Sequence, residues 1–194
     1  RGEIAVEIGF GTRDGDPDVM SYPIAGTLVP VPWLKFPIAQ VFLSLASFDG
    51  DPYFSDPRYV LKQSYQKLKD LGLSVVVATE FEFYLLQAGN SPVPQPKLGT
   101  VPGTNLKQEG LQYSTLEDLW ENDDLLMDIH RNCELQNIPV TTALSEFAPG
   151  QFEINLHHVD DPVTACDQGA MLKRIIKGSS FSHGFGASFM AKPF

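Results

Sequence analysis

The chain has 194 residues, with 24 acidic against 14 basic side chains and a formal net charge of −10 at pH 7. Its length and its 43% hydrophobic content allow the buried core of one domain, or of one small and one medium domain. The acidic balance, without a dense Lys and Arg patch, argues against a nucleic-acid partner, and no apolar run reaches the roughly 20 residues of a membrane span.

The start of the sequence and its two cysteines indicate whether the chain is a fragment and in which redox compartment it is found. The sequence opens on Arg1 without a signal-peptide pattern or an initiator Met, which indicates a piece of a longer protein. Its two cysteines, Cys133 and Cys166, are far apart at apolar-periodic helix positions, so we expect two buried thiols and no disulfide framework or zinc site. We therefore predict a reduced, cytoplasmic protein.

The first 50 residues predict part of a small β domain. They are rich in Gly, Pro and Asp, with short β-type runs at residues 4–8 and 41–45 and a turn-prone stretch at residues 9–37. Asp56 and Pro57 then supply a helix N-cap and a proline at the first helical position, and Gly72 is placed to end that helix. The domain boundary is therefore predicted near residue 55, which gives domains over residues 1–54 and 55–194.

The middle of the chain predicts a strand, a long connection and a helix. Residues 74–86 are dense in β-branched and aromatic side chains, which favours a mostly buried strand. The connection over residues 87–113 is longer than the roughly 12 to 15 residues usual for a structureless loop, and such connections are often functional. A capping box at residues 114–117 opens a helix that ends near Asn137. The predicted apolar stripe of this helix contains Leu116, Leu119, Trp120, Met127 and Cys133.

The last third predicts two strands, a long helix and a closing strand. The strands fall at residues 138–144 and 151–157, and the last strand falls at residues 187–190. Asp161 and Pro162 start the amphipathic helix, which runs through Lys177.

Four carboxylates in two short apolar stretches are the most informative feature of the chain: Glu80, Glu82, Glu146 and Glu153. Residues two apart on a strand share a face, so Glu80 and Glu82 are neighbours, and Glu153 lies on the polar face of its own strand. Carboxylates within apolar strands are expensive to desolvate, and neighbouring ones repel each other, unless a cation compensates them. Ligation by oxygen alone suits Mg²⁺ or Mn²⁺, the ions of ATP chemistry, and does not suit zinc.

A simpler interpretation of these acids stays open. A single Glu-x-Glu in a strand is usually the solvated face of an antiparallel sheet. The metal site is favoured because both strands combine acids with strongly apolar flanks, and because Glu146 precedes a Pro-Gly turn at a short distance. The histidines are interpreted structurally: His157 and His158 as hydrogen-bonding or exposed residues, His183 as a helix-end residue and His130 as a helix residue.

Three segments of the sequence resemble the glutamine synthetase family. They are TEFEFYL at residues 79–85, EFAPGQFEINLHH at residues 146–158 and FMAKP at residues 189–193, and their order and spacing agree as well. The segment DPYFSDPR at residues 51–58, together with residues 161–174, is similar in particular to the γ-glutamylpolyamine (γ-glutamylputrescine) synthetase branch. The resemblance covers nearly the whole chain.

The resemblance implies a fold, an assembly and an activity. The fold is α+β, with a partial N-terminal β-grasp domain followed by the first part of the catalytic domain, and the assembly is a ring-shaped homo-oligomer with active sites between subunits. The family uses ATP to phosphorylate the γ-carboxylate of glutamate, and ammonia or an amine such as a polyamine then displaces phosphate. In that family the residues matching Glu82, Glu146 and Glu153 bind one metal, and the one matching Glu80 binds a second metal beside the ATP phosphates.

The family pattern also contains parts that this sequence lacks, among them a histidine metal ligand, a glutamate flap, several arginines, a last glutamate ligand and the first β-grasp strands. The resemblance therefore implies a chain truncated at both ends, which we expect to be inactive alone. No catalytic or ATP-binding residue is assigned within it. Two alternatives stay open: a non-catalytic homologue that retains the scaffold and the metal site, and an unrelated α+β protein.

Overall fold

The computed structural model describes residues 18–89, 91 and 93–194, so the predicted β-type run at residues 4–8 and the start of the turn-prone stretch lie outside the described residues. The described elements are, in chain order, β1 (Met20–Pro23), β2 (Val29–Pro30), β3 (Ala39–Gln40), β4 (Leu43–Ala46), α1 (Pro57–Asp70), β5 (Glu80–Gln87), α2 (Leu116–Glu121), α3 (Asp123–Leu135), β6 (Val140–Ser145), β7 (Gln151–Leu156), α4 (Pro162–Ser182) and β8 (Phe185–Ser188). None of the described helices is long and apolar enough to cross a membrane.

The N-terminal segment forms two small antiparallel pairs, β1 with β4 and β2 with β3. It packs on the rest of the chain through Trp33, which lies against Gly178 of α4 so closely that a Cβ on this glycine would collide with the indole ring. The side-chain amide of Gln136 also donates a hydrogen bond to the carbonyl of Pro30 at 2.7 Å.

Helix α1 begins as predicted. Asp56 is its N-cap and accepts a hydrogen bond from the backbone N–H of Arg58 at 2.9 Å, and Gly72 follows the helix end with φ +73°. No side chain of this helix is fully buried. It is joined to α4 by a bidentate ion pair, in which the guanidinium of Arg58 contacts the carboxylate of Asp167 at 2.9 Å for the shortest pair of atoms.

A four-stranded antiparallel sheet of order β6-β7-β5-β8 forms the centre of the second half. Its apolar face packs against α3 and α4. This core contains Phe83, Leu85, Leu125, Ile129, Cys133, Phe152, Ile154, Leu156, Leu172, Ile175 and Ile176. The alternate positions of β5 and β7 face away from the core, as the strand parity predicts. The sheet is therefore two-faced, with helices on one side and a polar surface on the other.

The strand predicted at residues 74–86 begins later than expected. It starts at Glu80, and before that point Val77 makes only an isolated bridge with Val159. The prediction of a mostly buried strand is wrong for its first positions, because Glu80 and Glu82 are exposed on the polar face, whereas Phe81, Phe83 and Leu85 face the core.

The single helix predicted from the capping box is two helices. Ser114 has φ +59° and is not the N-cap; Thr115 is, and its hydroxyl contacts Asp118 one turn on. The chain then breaks at Asn122, whose side chain donates to the carbonyl of Asp118 at 2.7 Å and so competes with the helical backbone pattern.

Part of the predicted apolar stripe is wrong. Leu116, Trp120 and Met127 are 57%, 67% and 48% exposed, whereas Leu125 and Ile129 are buried.

Only one of the two predicted buried thiols is buried. Cys133 is 1% exposed within the core, but Cys166 is exposed. On α4 the buried positions include Ala165, Gly169 and Leu172, and Cys166 shares the opposite, solvent-facing side with Lys173.

Candidate metal centre

Three of the four predicted acids converge on the polar face of the sheet. Carboxylate oxygens of Glu82, Glu146 and Glu153 all lie within 4.8 Å of one another, and we call these residues the carboxylate cluster. Glu82 stands opposite Glu153 in the register of β5 and β7, and Glu146 directly follows β6. Two strands and one turn therefore supply one oxygen-rich group.

Glu80 lies outside the carboxylate cluster. It is exposed, two residues before Glu82 on the same face of β5, and stands opposite Asn155 of β7. Its assignment to a second metal stays a prediction.

The charges of the cluster are compensated only in part by the chain itself. The pKa of Glu146 is raised by partial burial, by a hydrogen bond with Glu153 and by the negative charges of Glu153 and Glu82, against the opposing effect of the Phe147 backbone N–H. That N–H donates to the Glu146 carboxylate at 3.2 Å. Among the described residues, no basic side chain forms an ion pair with any of the three acids.

This arrangement fits a hard divalent cation. Three carboxylates offer oxygen ligands and negative charge, as Mg²⁺ and Mn²⁺ require. The cost of desolvation does not apply to Glu80 and Glu82, contrary to the prediction from the sequence, because both face solvent. The reason that a cation would bind there is instead the repulsion between the close negative charges of the cluster.

The histidines lie apart from the cluster. His157 and His158 are exposed beyond the end of β7, and His130 pairs with Glu134 on α3. His183 caps the end of α4, where its Nε2 is 2.5 Å from a carboxylate oxygen of Asp128. All four fall within the described ranges, and none contributes to the cluster.

Gln151 orients one acid of the cluster. Its side-chain Nε2 donates to Glu82 Oε2 at 2.7 Å, and its Oε1 accepts from the backbone N–H of Ala148 at 3.0 Å. The second bond fixes which end of the amide faces the carboxylate. Gly150, at φ +73°, makes the turn between Ala148 and Gln151, and a Cβ there would come within 2.9 Å of the Lys97 carbonyl oxygen.

One residue of this region gave no signal in the sequence. Gln112 belongs to the connection between β5 and α2, yet it is 1% exposed and its side chain bonds to both Gly150 and Gln151. A loop glutamine has no periodicity that predicts burial, so only the unusual length of the connection pointed to this part of the chain.

Comparison with known proteins matches residues 54–194 to the family model described as the glutamine synthetase catalytic domain. γ-Glutamylputrescine synthetase PuuA of Escherichia coli (strain K12) is 37% identical over 193 residues, which cover 100% of this chain and 41% of that protein. Glutamate–isopropylamine ligase of a Pseudomonas species is 31% identical over 183 residues, 94% of this chain and 39% of that protein.

The fold of this chain is also similar to that of solved structures. The ligand-free structure of GmaS matches with a TM-score of 0.78 at 24% identity, over 93% of this chain and 40% of that one. The expected α+β fold of the glutamine synthetase type is thereby confirmed. The chain spans about two-fifths of the length of the curated relatives that it matches.

Proposed function

This chain belongs to the glutamine synthetase family, and from that premise we propose that it is part of an ATP-dependent ligase that joins glutamate to ammonia or an amine. The observation that carries the proposal is the convergence of Glu82, Glu146 and Glu153 within the segment matched by the catalytic domain of the family. An amine, such as a polyamine, is favoured as acceptor because two relatives are named for putrescine and isopropylamine.

In this proposal the carboxylate cluster holds one divalent metal, Mg²⁺ or Mn²⁺, and Glu80 contributes to a second. Such ions supply positive charge that neutralises a transferred phosphoryl group. Gln151 holds the Glu82 carboxylate in orientation through its 2.7 Å hydrogen bond. A bound cation would favour the ionised carboxylate of Glu146, against the burial and the neighbouring negative charges that raise its pKa.

The proposed reaction has two steps. An oxygen of the glutamate γ-carboxylate attacks the γ-phosphorus of ATP and ADP leaves; the amine nitrogen then attacks the acyl carbon, phosphate leaves, and the nitrogen loses a proton. The residues that bind ATP and glutamate are not assigned in this chain. We further propose the division into residues 1–54 and 55–194, a ring-shaped homo-oligomer and a cytoplasmic location. Because the chain spans about two-fifths of its relatives, we propose that these 194 residues alone do not turn over.

The test is phosphate release by the protein that carries this chain, with ATP, glutamate and either putrescine, isopropylamine or ammonia, in Mg²⁺ or Mn²⁺. We expect release to require all three substrates, and Glu82→Ala to lower it at least about 100-fold. Glu134→Ala is the matched control, because Glu134 is an exposed acid on α3 outside the cluster. Its activity should equal that of the parent.

Two results would contradict the proposal. If Glu82→Ala is as active as Glu134→Ala, the cluster has no part in the reaction. A protein that binds Mn²⁺ but releases no phosphate with any of the three acceptors would favour the non-catalytic homologue instead.

A further inference from the structure

We propose that Gln112 is a positioning residue, which holds the turn between β6 and β7 in place and thereby sets the geometry of the carboxylate cluster. The inference rests on the proposed function, because it takes the cluster to be a divalent-metal site. It concerns a residue that contributes no oxygen to the cluster and lies on a different part of the chain.

The side chain of Gln112 spans the turn. Its Nε2 donates to the carbonyl of Gln151 at 2.6 Å, and its Oε1 accepts from the backbone N–H of Gly150 at 3.0 Å. The two bonds use opposite ends of one amide, so each confirms the orientation of the other. Gln112 is 1% exposed, so water does not reach its side chain to replace these two hydrogen bonds.

The backbone of Gln112 holds the same turn from its other side. Its carbonyl accepts from the hydroxyl of Ser145 at 3.0 Å and from the hydroxyl of Thr115 at 2.7 Å. Its N–H donates to the carbonyl of Phe147 at 3.3 Å. Gln112 thus contacts residues on both sides of Glu146 and just before Glu153.

The backbone around Lys97 and Leu85 also packs against this turn. The Lys97 N–H donates to Leu85, the Leu85 N–H donates to Gly150 at 2.8 Å, and no Cβ fits at Gly150. Two points of the same long connection, Lys97 and Gln112, therefore contact the turn.

Displacement of this turn would reach all three acids. Glu146 precedes the turn and Glu153 follows it, and Gln151, which receives the Gln112 bond on its backbone, donates to Glu82 with its side chain. Loss of the Gln112 amide would leave the Gly150 N–H and the Gln151 carbonyl buried without these partners, which favours rearrangement of the turn. Residues that orient metal ligands typically contribute about 10- to 100-fold to metal affinity.

The experiment measures Mn²⁺ binding by electron paramagnetic resonance, with Mn²⁺ alone as the probe. Gln112→Met keeps the length and approximate volume of the side chain and removes both bonds. We expect its Kd for Mn²⁺ to rise by about 10- to 100-fold and the spectrum of bound Mn²⁺ to broaden, because the ligand oxygens no longer converge in one geometry.

The chain offers a matched control. Gln136 is also a buried glutamine, 4% exposed, and donates one hydrogen bond to Pro30 far from the cluster. Gln136→Met should lower the melting temperature without changing the Kd or the spectrum of Mn²⁺. A loss of affinity that both variants share would show that stability alone is responsible and would overturn the inference.

Two further variants keep the test decisive. The side chain of Gln112→Asn is one methylene too short to reach both partners, and this variant replaces Gln112→Met in the test if Gln112→Met does not fold. If the variant that folds binds Mn²⁺ with the same Kd as the parent, the inference is overturned. Glu82→Ala tests the metal site itself. If Glu82→Ala loses Mn²⁺ and Gln112→Met does not, the proposed function stands and this inference fails, whereas parent affinity in Glu82→Ala contradicts the metal site on which both rest.

Discussion

At the scale of single residues, Glu146 holds a proton to higher pH than an ordinary glutamate. Burial, the hydrogen bond with Glu153 and the charges of Glu153 and Glu82 all raise its pKa. An acid whose pKa is raised by folding stabilises the folded state while it is protonated, and this contribution is lost as the pH rises through its folded-state pKa. Without a cation, an ionised Glu146 therefore opposes folding at neutral pH.

We expect Glu146→Gln to stabilise the metal-free protein at pH 7. The gain is about 1–3 °C in melting temperature, since the site is largely solvated, and it should vanish toward pH 4 as the parent takes up the proton. Thermal unfolding in EDTA across this pH range measures both effects. With excess Mn²⁺ the order should reverse, because only the parent gains from the ion. A difference that grows on acidification would contradict the assignment.

The two cysteines differ in exposure, so we expect them to differ in reactivity. Burial raises the pKa of Cys133 to about 12, so its thiol stays protonated and shielded, whereas Cys166 is exposed on α4. Iodoacetamide at pH 8 should add one label to the native protein and two after unfolding, as mass spectrometry counts them. Cys166→Ser should take no label while folded, and Cys133→Ser should still take one. Equal labelling of both thiols in the native protein would contradict this difference.

At the scale of elements, local signals predicted the starts of α1, α4 and β7. Asp56 and Asp161 cap α1 and α4 as expected, since an N-cap depends only on neighbouring residues. The break at Asn122 was not predicted, because it depends on whether the Asn122 side chain bonds to solvent or to the backbone carbonyl of Asp118. Leu116 and Trp120 lie in the short helix before that break, and both are exposed.

The contact between Trp33 and Gly178 predicts the sign of a substitution. Alanine normally stabilises a helix interior relative to glycine by about 1 kcal/mol. Because a Cβ at Gly178 collides with the indole, we expect Gly178→Ala to destabilise the protein by about 1–3 kcal/mol instead. In a Trp33→Ala background the same change should be stabilising. Urea unfolding of the four proteins of this cycle measures the reversal, and additive effects would contradict it.

At the scale of the whole molecule, the net charge of −10 and the carboxylate cluster lead us to expect that divalent cations stabilise the protein. Sequence parity placed Glu80 and Glu82 on one face of β5, but it could not predict which acids converge. That depends on the β5–β7 register and on the turn held by Gln112, contacts between residues far apart in the chain. The family resemblance named the same three acids, and their binding of a metal stays a prediction.

Mn²⁺ at a hundred times its Kd should stabilise the protein by about 2.7 kcal/mol, a rise of about 5–10 °C in melting temperature. KCl of equal ionic strength is the control, since it screens the net charge without occupying the cluster. Glu153→Ala should abolish the Mn²⁺ effect, and Glu134→Ala should retain it. A shift that KCl reproduces in full would show that screening, not binding, is the cause.

The strand order β6-β7-β5-β8 also bears on how fast the protein folds. β6 and β7 are joined by one turn and form a local hairpin, whereas β5 pairs with β7 across the long connection and two helices, which is a slow kind of contact to form. We therefore expect Glu146 and Glu153 to come together first, and Glu82 to join them when β5 docks. Because Glu82 joins late, we expect Glu82→Gln to slow unfolding in EDTA and to leave the refolding rate close to that of the parent, as stopped-flow fluorescence measures both rates. Faster refolding of the variant would contradict this order. A divalent ion, which needs all three acids, should act mainly by slowing unfolding.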